Sequence, residues 1–226
     1  YTGTGKFSAI GNSTAVRADG TGSKLTVGYA ETTRGSAYTV QATDRGTVTA
    51  KDGVLAKGAG SDALWATGSG KITVQGDVTC AGYNSTGIVS TGTGSTVQVT
   101  GDITATADGT GSTGVNSKNG GEATITGNIT ASQIGITTSG TGNAGTVTVT
   151  GNVSITGTAT EDSGAVDREG IGAGGGGTVL VNGSVSAAGA NCTGVYANGS
   201  TVIVTGSVTS ENTGVVSTGN EILRGR

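Results

Sequence analysis

One unit, apolar-x-Gly-x-apolar, recurs six times along the chain: Val74-Gly76-Val78, Val99-Gly101-Ile103, Ile125-Gly127-Ile129, Val149-Gly151-Val153, Val181-Gly183-Val185 and Val204-Gly206-Val208. The first residues of these units lie 25, 26, 24, 32 and 23 positions apart, and looser relatives at Val27 and Ala50 extend the series upstream by steps of 23 and 24. A fixed period of this length marks a repeat architecture, in which one unit cannot bury its apolar side alone and stacked neighbours bury it together.

A second apolar element precedes the next unit, often as Thr-Gly-apolar: Thr86-Gly87-Ile88, Thr113-Gly114-Val115, Ile134-Gly135-Ile136, Thr193-Gly194-Val195 and Thr213-Gly214-Val215. Stretches such as Ser90-Thr91-Gly92-Thr93-Gly94 separate the elements and supply the positive φ of tight corners. Within the elements the alternation is strict, as in Thr146-Val147-Thr148-Val149-Thr150, which is the period-2 signal of a strand with one buried face. Gly and β-branched residues both disfavour helix. The pattern predicts an all-β, right-handed parallel β-helix of about eight coils of ~24 residues, with three short strands per coil and no helical caps. Its core is a ladder of Val74, Val99, Ile125, Val149, Val181 and Val204. The whole of 1–226 reads as one solenoid domain, with 1–13 as a partial N-terminal coil or interface segment and 157–175 as an insertion in the one long coil.

Composition narrows the alternatives. Gly accounts for 46 of 226 residues, yet Pro is absent and no G-X-Y period appears, which excludes collagen. Hydrophobic residues reach 33% at regular intervals, enough for a thin, long core rather than disorder. The net charge of -3 leaves no basic footprint for nucleic acid. No apolar run is long enough for a membrane span.

Tandem motifs such as Thr146-Val147-Thr148-Val149-Thr150-Gly151-Asn152-Val153-Ser154 resemble those of secreted bacterial β-solenoids: autotransporter passengers, filamentous-haemagglutinin-type adhesins and extracellular fibre subunits. The resemblance covers about residues 14–226 and implies an extracellular or cell-surface stalk, fibre or adhesive surface. The chain opens at Tyr1 rather than Met, which fits a processed or excised segment.

Parallel β-helices also include polysaccharide-active enzymes, whose chemistry needs clustered ionisable groups. Here charged residues make up 12% of the chain and are scattered, and there is no His, so every His-dependent triad or metal site is impossible. The expectation is a non-enzyme with no cofactor and no catalytic or metal residues. The one concentration of charge, Glu161, Asp162, Asp167, Arg168 and Glu169, falls in the insertion and reads as a possible binding loop for a host-surface or glycan ligand. Gly172 to Gly177 lacks the Lys-Ser/Thr ending of a phosphate loop and reads as the return from that insertion.

The residue after each repeat Gly runs Asp77, Asp102, Asn128, Asn152, Ser184, Ser207, which predicts an outward polar ladder at the corner. A cation between Asp77 and Asp102 is the minor alternative to a solvated corner. Outward Thr pairs such as Thr124/Thr126 suggest ice binding only weakly, because Lys71, Gln98, Glu122, Leu180 and Ile203 interrupt the array. Cys80 and Cys192 fall four coils apart, roughly 19 Å from coil spacing alone, which is too far for a bridge between them.

Solenoid ends expose unpaired strand edges. Two explanations compete: the segment is cut from a longer stalk, or Tyr1, Phe7 and Ile10 at one end and Ile222 and Leu223 at the other pair between subunits, giving a head-to-tail homopolymer. Residues 1–76 carry eight Lys/Arg and five Asp/Glu, whereas 77–226 carry four and ten, an asymmetry that favours head-to-tail contact. Six of the seven aromatics lie in the first 83 residues, where an interface could use them as anchors.

Overall fold

The structure is a computed structural model that describes residues 1–35, 37–106, 111–157, 168–189, 191–219 and, as backbone, 222–225. Every element in these residues is a β-strand, and every strand pairing is parallel. None of the described residues forms a helix long and apolar enough to cross a membrane.

Each winding contributes three strands, exemplified by Lys71–Gln75, Val78–Cys80 and Thr86–Thr91. Eight such windings succeed one another among the described residues, from Lys24–Thr32 with Tyr38–Thr43 to Thr201–Val204, Val208–Ser210 and Thr213–Thr218. An earlier winding supplies Lys6–Ala9 and Val16–Asp19, and Ile222–Gly225 pairs on the far side of Thr201–Val204. Third strands form one nine-stranded sheet; first and second strands share a 16-stranded sheet because Lys24–Thr32 and Thr47–Ala56 run through the corner between them. The expected solenoid of about eight turns, three strands each, is the fold.

Register follows the sequence units. Val74 pairs Val99, Val99 pairs Ile125, Ile125 pairs Val149, Val149 pairs Val181 and Val181 pairs Val204. Val27 and Ala50 join the same column through Ala50–Val74. These residues are at most 6% exposed, so the ladder is the core. A neighbouring column, Val78, Ile103, Ile129, Val153 and Val185, is wholly buried from the second strands, and Val40, Leu64, Ile88, Val115, Ile136, Ile171 and Val195 are buried from the third.

Two kinds of glycine make this stacking possible. At the corner between first and second strands, Gly76, Gly101, Gly127 and Gly151 have φ of 140° to 152°, a conformation costly for L-residues with a side chain. There is no room either: a Cβ on Gly127 would stand 2.2 Å from the Gly101 carbonyl oxygen of the preceding winding. In the Thr-Gly-apolar elements the need is for close approach. A Cβ on Gly114 would lie 2.5 Å from Ile129 Cγ2, and one on Gly135 would lie 2.4 Å from Val153 Cγ1. Removing the side chain lets the third strand settle onto the second strand of the next winding.

The repeat itself satisfies many of the polar atoms inside the rod, although Ser132 Oγ and Thr138 Oγ1 are buried without a partner among the described residues. Ser61, Ser85 and Ser112 are buried and donate to the carbonyls of Arg34, Gly58 and Gly82, each in the preceding winding. Thr39 occupies the position of the close-approach glycine in an earlier winding, and its hydroxyl bonds that of Thr32 at 2.7 Å. Such pairing removes most of the cost of burying a hydroxyl.

The insertion is shorter at its C-terminal side than the sequence suggests. Arg168–Gly174 is a strand in the third-strand sheet, pairing Ile136 with Ile171 and Ile171 with Val195. The chain is therefore back in register from Arg168, and Gly172 to Gly174 lie within a strand rather than in a flexible return.

Candidate functional site

The corner ladder binds successive windings. Asp102 N–H donates to Asp77 Oδ1 at 2.9 Å, Asn128 N–H to Asp102 Oδ1 at 2.7 Å, Asn152 N–H to Asn128 Oδ1 at 3.0 Å and Ser184 N–H to Asn152 Oδ1 at 2.9 Å. Ser207 N–H continues the series to Ser184 Oγ at 3.2 Å. In the other direction Val78, Ile103, Ile129 and Val153 N–H groups donate to the carbonyls of Asp102, Asn128, Asn152 and Ser184. Asp, Asn and Ser are the residue types whose short side chain carries an acceptor to this distance. The corner is the predicted outward polar ladder, and Asp77 Oδ1 and Asp102 Oδ1 are used to fasten backbone. No group of three His, Cys, Asp or Glu that could hold a metal ion occurs among the described residues. Beside the ladder runs an open groove of about 570 Å³, lined by Asp102, Asn128, Asn152 and Ser184 with Thr130, Ser154 and Ser186 from the second strands.

At the N-terminal end the three windings nearest Tyr1 are clamped by charge. Glu31 is only 4% exposed and is gripped by Lys6 from the preceding winding and by Lys57 Nζ, at 2.6 Å, from the following one. Hydrogen bonds from Lys57 and Lys6 hold the Glu31 carboxyl below its ordinary range against the opposing effect of burial. Asp19 is likewise lowered, chiefly by the hydroxyl of Thr43, which donates at 2.6 Å.

The residues singled out as a polymer interface occupy the two ends. Tyr1 is 71% exposed and Ile10 76% exposed. Phe7 is half-buried, packs against the core and meets Tyr1 edge-on at 5.7 Å. Ile222 and Leu223 pair with Thr201 and Val202. Sequence reasoning missed Val215. Its equivalents Ile136, Ile171 and Val195 are 0–1% exposed, whereas Val215, at the open side of the last third strand, is 49% exposed. The signal was present in its Thr-Gly-Val motif, which marks it as a core position.

The aromatics do not form one anchor cluster. Tyr29 lies on a strand through the first corner under Lys6, Tyr83 on a loop between second and third strands, and Tyr38 with Trp65 on the third-strand sheet.

Of the possible binding loop, Glu161, Asp162 and Asp167 lie outside the described residues. Arg168 and Glu169 do not belong to a protrusion. They begin the strand Arg168–Gly174, and Arg168, 5% exposed, donates from Nη1 to the Gly157 carbonyl at 2.6 Å. Arg168 thereby ties the residue where the insertion leaves the rod to the one where it returns. Cys80 is buried among second-strand residues, and burial pushes its thiol up to about 12. Cys192 sits on a third strand opposite Arg168, and burial raises its thiol too.

No known family model matches the chain, and neither a curated protein nor a solved structure matches it.

Proposed function

We propose that this chain is a non-catalytic structural rod of an extracellular or cell-surface assembly, and that its open end is continued by the first winding of a second copy stacked head-to-tail. One observation carries this reading: Val215, in a column otherwise at most 4% exposed, stands 49% exposed beside strands whose outer edges have no partner among the described residues. An edge of this kind is a template for strand addition. The opposite end offers apolar side chains, Tyr1 and Ile10, to meet it. Because the contact joins unlike surfaces, it propagates into a filament when rotation does not close a ring.

Sedimentation velocity and negative-stain microscopy of the purified chain test this. The expected result is concentration-dependent rods longer than the ~40 Å that nine windings at about 4.8 Å span. Val215→Asp should return them to single rods with an unchanged β-type circular dichroism spectrum. Monodisperse single rods at high concentration refute axial stacking.

A second reading, lateral binding of a host-surface or glycan partner through the insertion, draws on the Arg168–Gly157 tie, which fixes the base of that loop on a rigid sheet. Deleting 158–167 abolishes binding to cells or glycans in that case and leaves filaments intact.

A further inference from the structure

The outward columns of the third-strand sheet hold one group of side chains that neither the core nor the corner ladders use. Gln41, Trp65, Val89 and Asn116 follow one another in register along the rod axis, and Tyr38, Asp62 and Thr86 form the adjacent column. Trp65 and Tyr38 are half-buried and stack against each other, with ring centroids 4.6 Å apart at 38°, so the pair stands as one apolar block on the sheet. Lys118, from two windings further on, brings its Nζ to 6.0 Å from the Trp65 ring, the outer limit of a cation–π contact.

One carboxylate stands beside this surface. Asp62 is half-buried, and its carboxyl is raised by that burial even though Thr86 hydrogen-bonds it and Lys118 attracts it. The equivalent first-strand column carries no ring: it reads Thr73, Gln98, Thr124, Thr148, Leu180 and Ile203. Trp65, the one Trp in the chain, therefore contributes its ring to the surface and not to the core.

We infer that Tyr38, Asp62, Trp65 and Lys118 form a lateral binding platform for a neutral, equatorially substituted pyranose of a linear glycan. The outer ring face of the stacked pair matches the flat C–H face of such a sugar. Asp62 accepts a hydrogen bond from one of its hydroxyls, and the Lys118 ammonium donates to a hydroxyl or ring oxygen as it swings off the Trp65 ring. One carboxylate and one ammonium leave the patch without net charge, which favours an uncharged ligand over an anionic or cationic one. A ligand with axial substituents loses the flat face. The platform is on the side of the rod and does not depend on axial stacking.

Because Trp65 is the sole Trp, its emission reports on the platform directly. Titration with cellohexaose should shift that emission saturably, while a hexamer of galacturonic acid should not. Calorimetry should then show at least about a tenfold loss of affinity, about 1.4 kcal/mol, for Trp65→Ala and for Asp62→Asn. Trp65→Phe should retain most of the affinity, and Tyr83→Ala, an exposed tyrosine away from the platform, should retain all of it. Circular dichroism of each variant checks that the solenoid is intact. The inference is overturned by the absence of a saturable response to cellohexaose, by a response to the anionic hexamer alone, or by full affinity in folded Trp65→Ala.

Discussion

Replacing Gly127 with Ala puts the corner geometry to a quantitative test. The new Cβ would stand 2.2 Å from the Gly101 carbonyl oxygen and 2.6 Å from its carbon, both backbone atoms of the preceding winding. Relief to ordinary contact needs a separation of about 1 Å. Three bonds from backbone N–H groups hold that corner: Asn128 N–H to Asp102 Oδ1 at 2.7 Å, Ile103 N–H to the Asn128 carbonyl at 2.8 Å and Gly101 N–H to the Thr126 carbonyl at 3.0 Å. Stretching all three beyond bonding distance costs about 1 kcal/mol for each neutral bond and about 2 kcal/mol for the carboxylate one. Ala at φ of 152° adds about 1 kcal/mol, giving about 5 kcal/mol in total. Gly142 is the matched control, because it has φ of 80° with nothing within 4 Å of its Cβ position, so Gly142→Ala costs only the conformational part, about 1 kcal/mol. Urea unfolding followed by circular dichroism gives both values. Hydrogen exchange should show the loss concentrated in the windings either side of residue 127, as nearest-neighbour coupling requires. If the two variants differ by less than about 1 kcal/mol, close stacking at the corner is not what demands glycine.

The clamp at the N-terminal end is pH-dependent in a defined direction. Since the folded carboxyl of Glu31 lies below its ordinary value of 4.5, its stabilisation is fully present above that pH and is lost as pH falls through the lower folded value. Lys6 and Tyr29, which face it, keep their protons throughout that window, so the protection factors of the amides in Lys6–Ala9 and Lys24–Thr32, which correct for slower intrinsic exchange in acid, should fall as pH drops from 5 to 3. Glu31→Gln should show the low protection factor at both pH values; a wild-type profile in that variant would show the clamp to be inert. Cys80 should resist iodoacetamide at pH 8 in the native rod and react once urea unfolds it, because its thiol is buried and raised to about 12. Rapid native labelling at Cys80 would mean that the second-strand ladder opens under native conditions.

Sequence periodicity reached the core because each apolar residue of the repeat answers to a physical need at a fixed place in the winding. The spacings of 25, 26, 24 and 32 between repeat units are those by which Val74, Val99, Ile125, Val149 and Val181 pair. The reading failed where the marker glycine was absent or hidden. Val40 and Leu64 are third-strand core residues, but Thr39 and Ala63 stand where the later windings have glycine, so no Thr-Gly-apolar motif points to them. Ile171 does follow a glycine, yet the charged run before it and the glycine run after it resemble loop composition. What places Arg168–Gly174 in the sheet is the need of Ile136 and Val195 for a neighbour between them.

The lateral platform was illegible for a different reason. Which side chains share a surface depends on the phase of alternation in each strand and on the winding to which it belongs, and loops of unequal length scramble that phase along the chain. Tyr29, Tyr38, Trp65 and Tyr83 look like one aromatic region in the sequence, but the windings send only Tyr38 and Trp65 to the same outward columns. Lys118 is 53 residues from Trp65 in the sequence and only two windings away along the axis. Three outward residues of one strand, Thr113, Asn116 and Lys118, thus sit beside Thr86, Val89 and Thr91 of the preceding winding. A solenoid converts sequence period into spatial adjacency, so a site on its flank is composed of residues one or two periods apart, and it emerges only when register is known. The core ladder needs one kind of residue at every step and announces itself by repetition; a binding platform needs unlike residues at successive steps, and repetition conceals it.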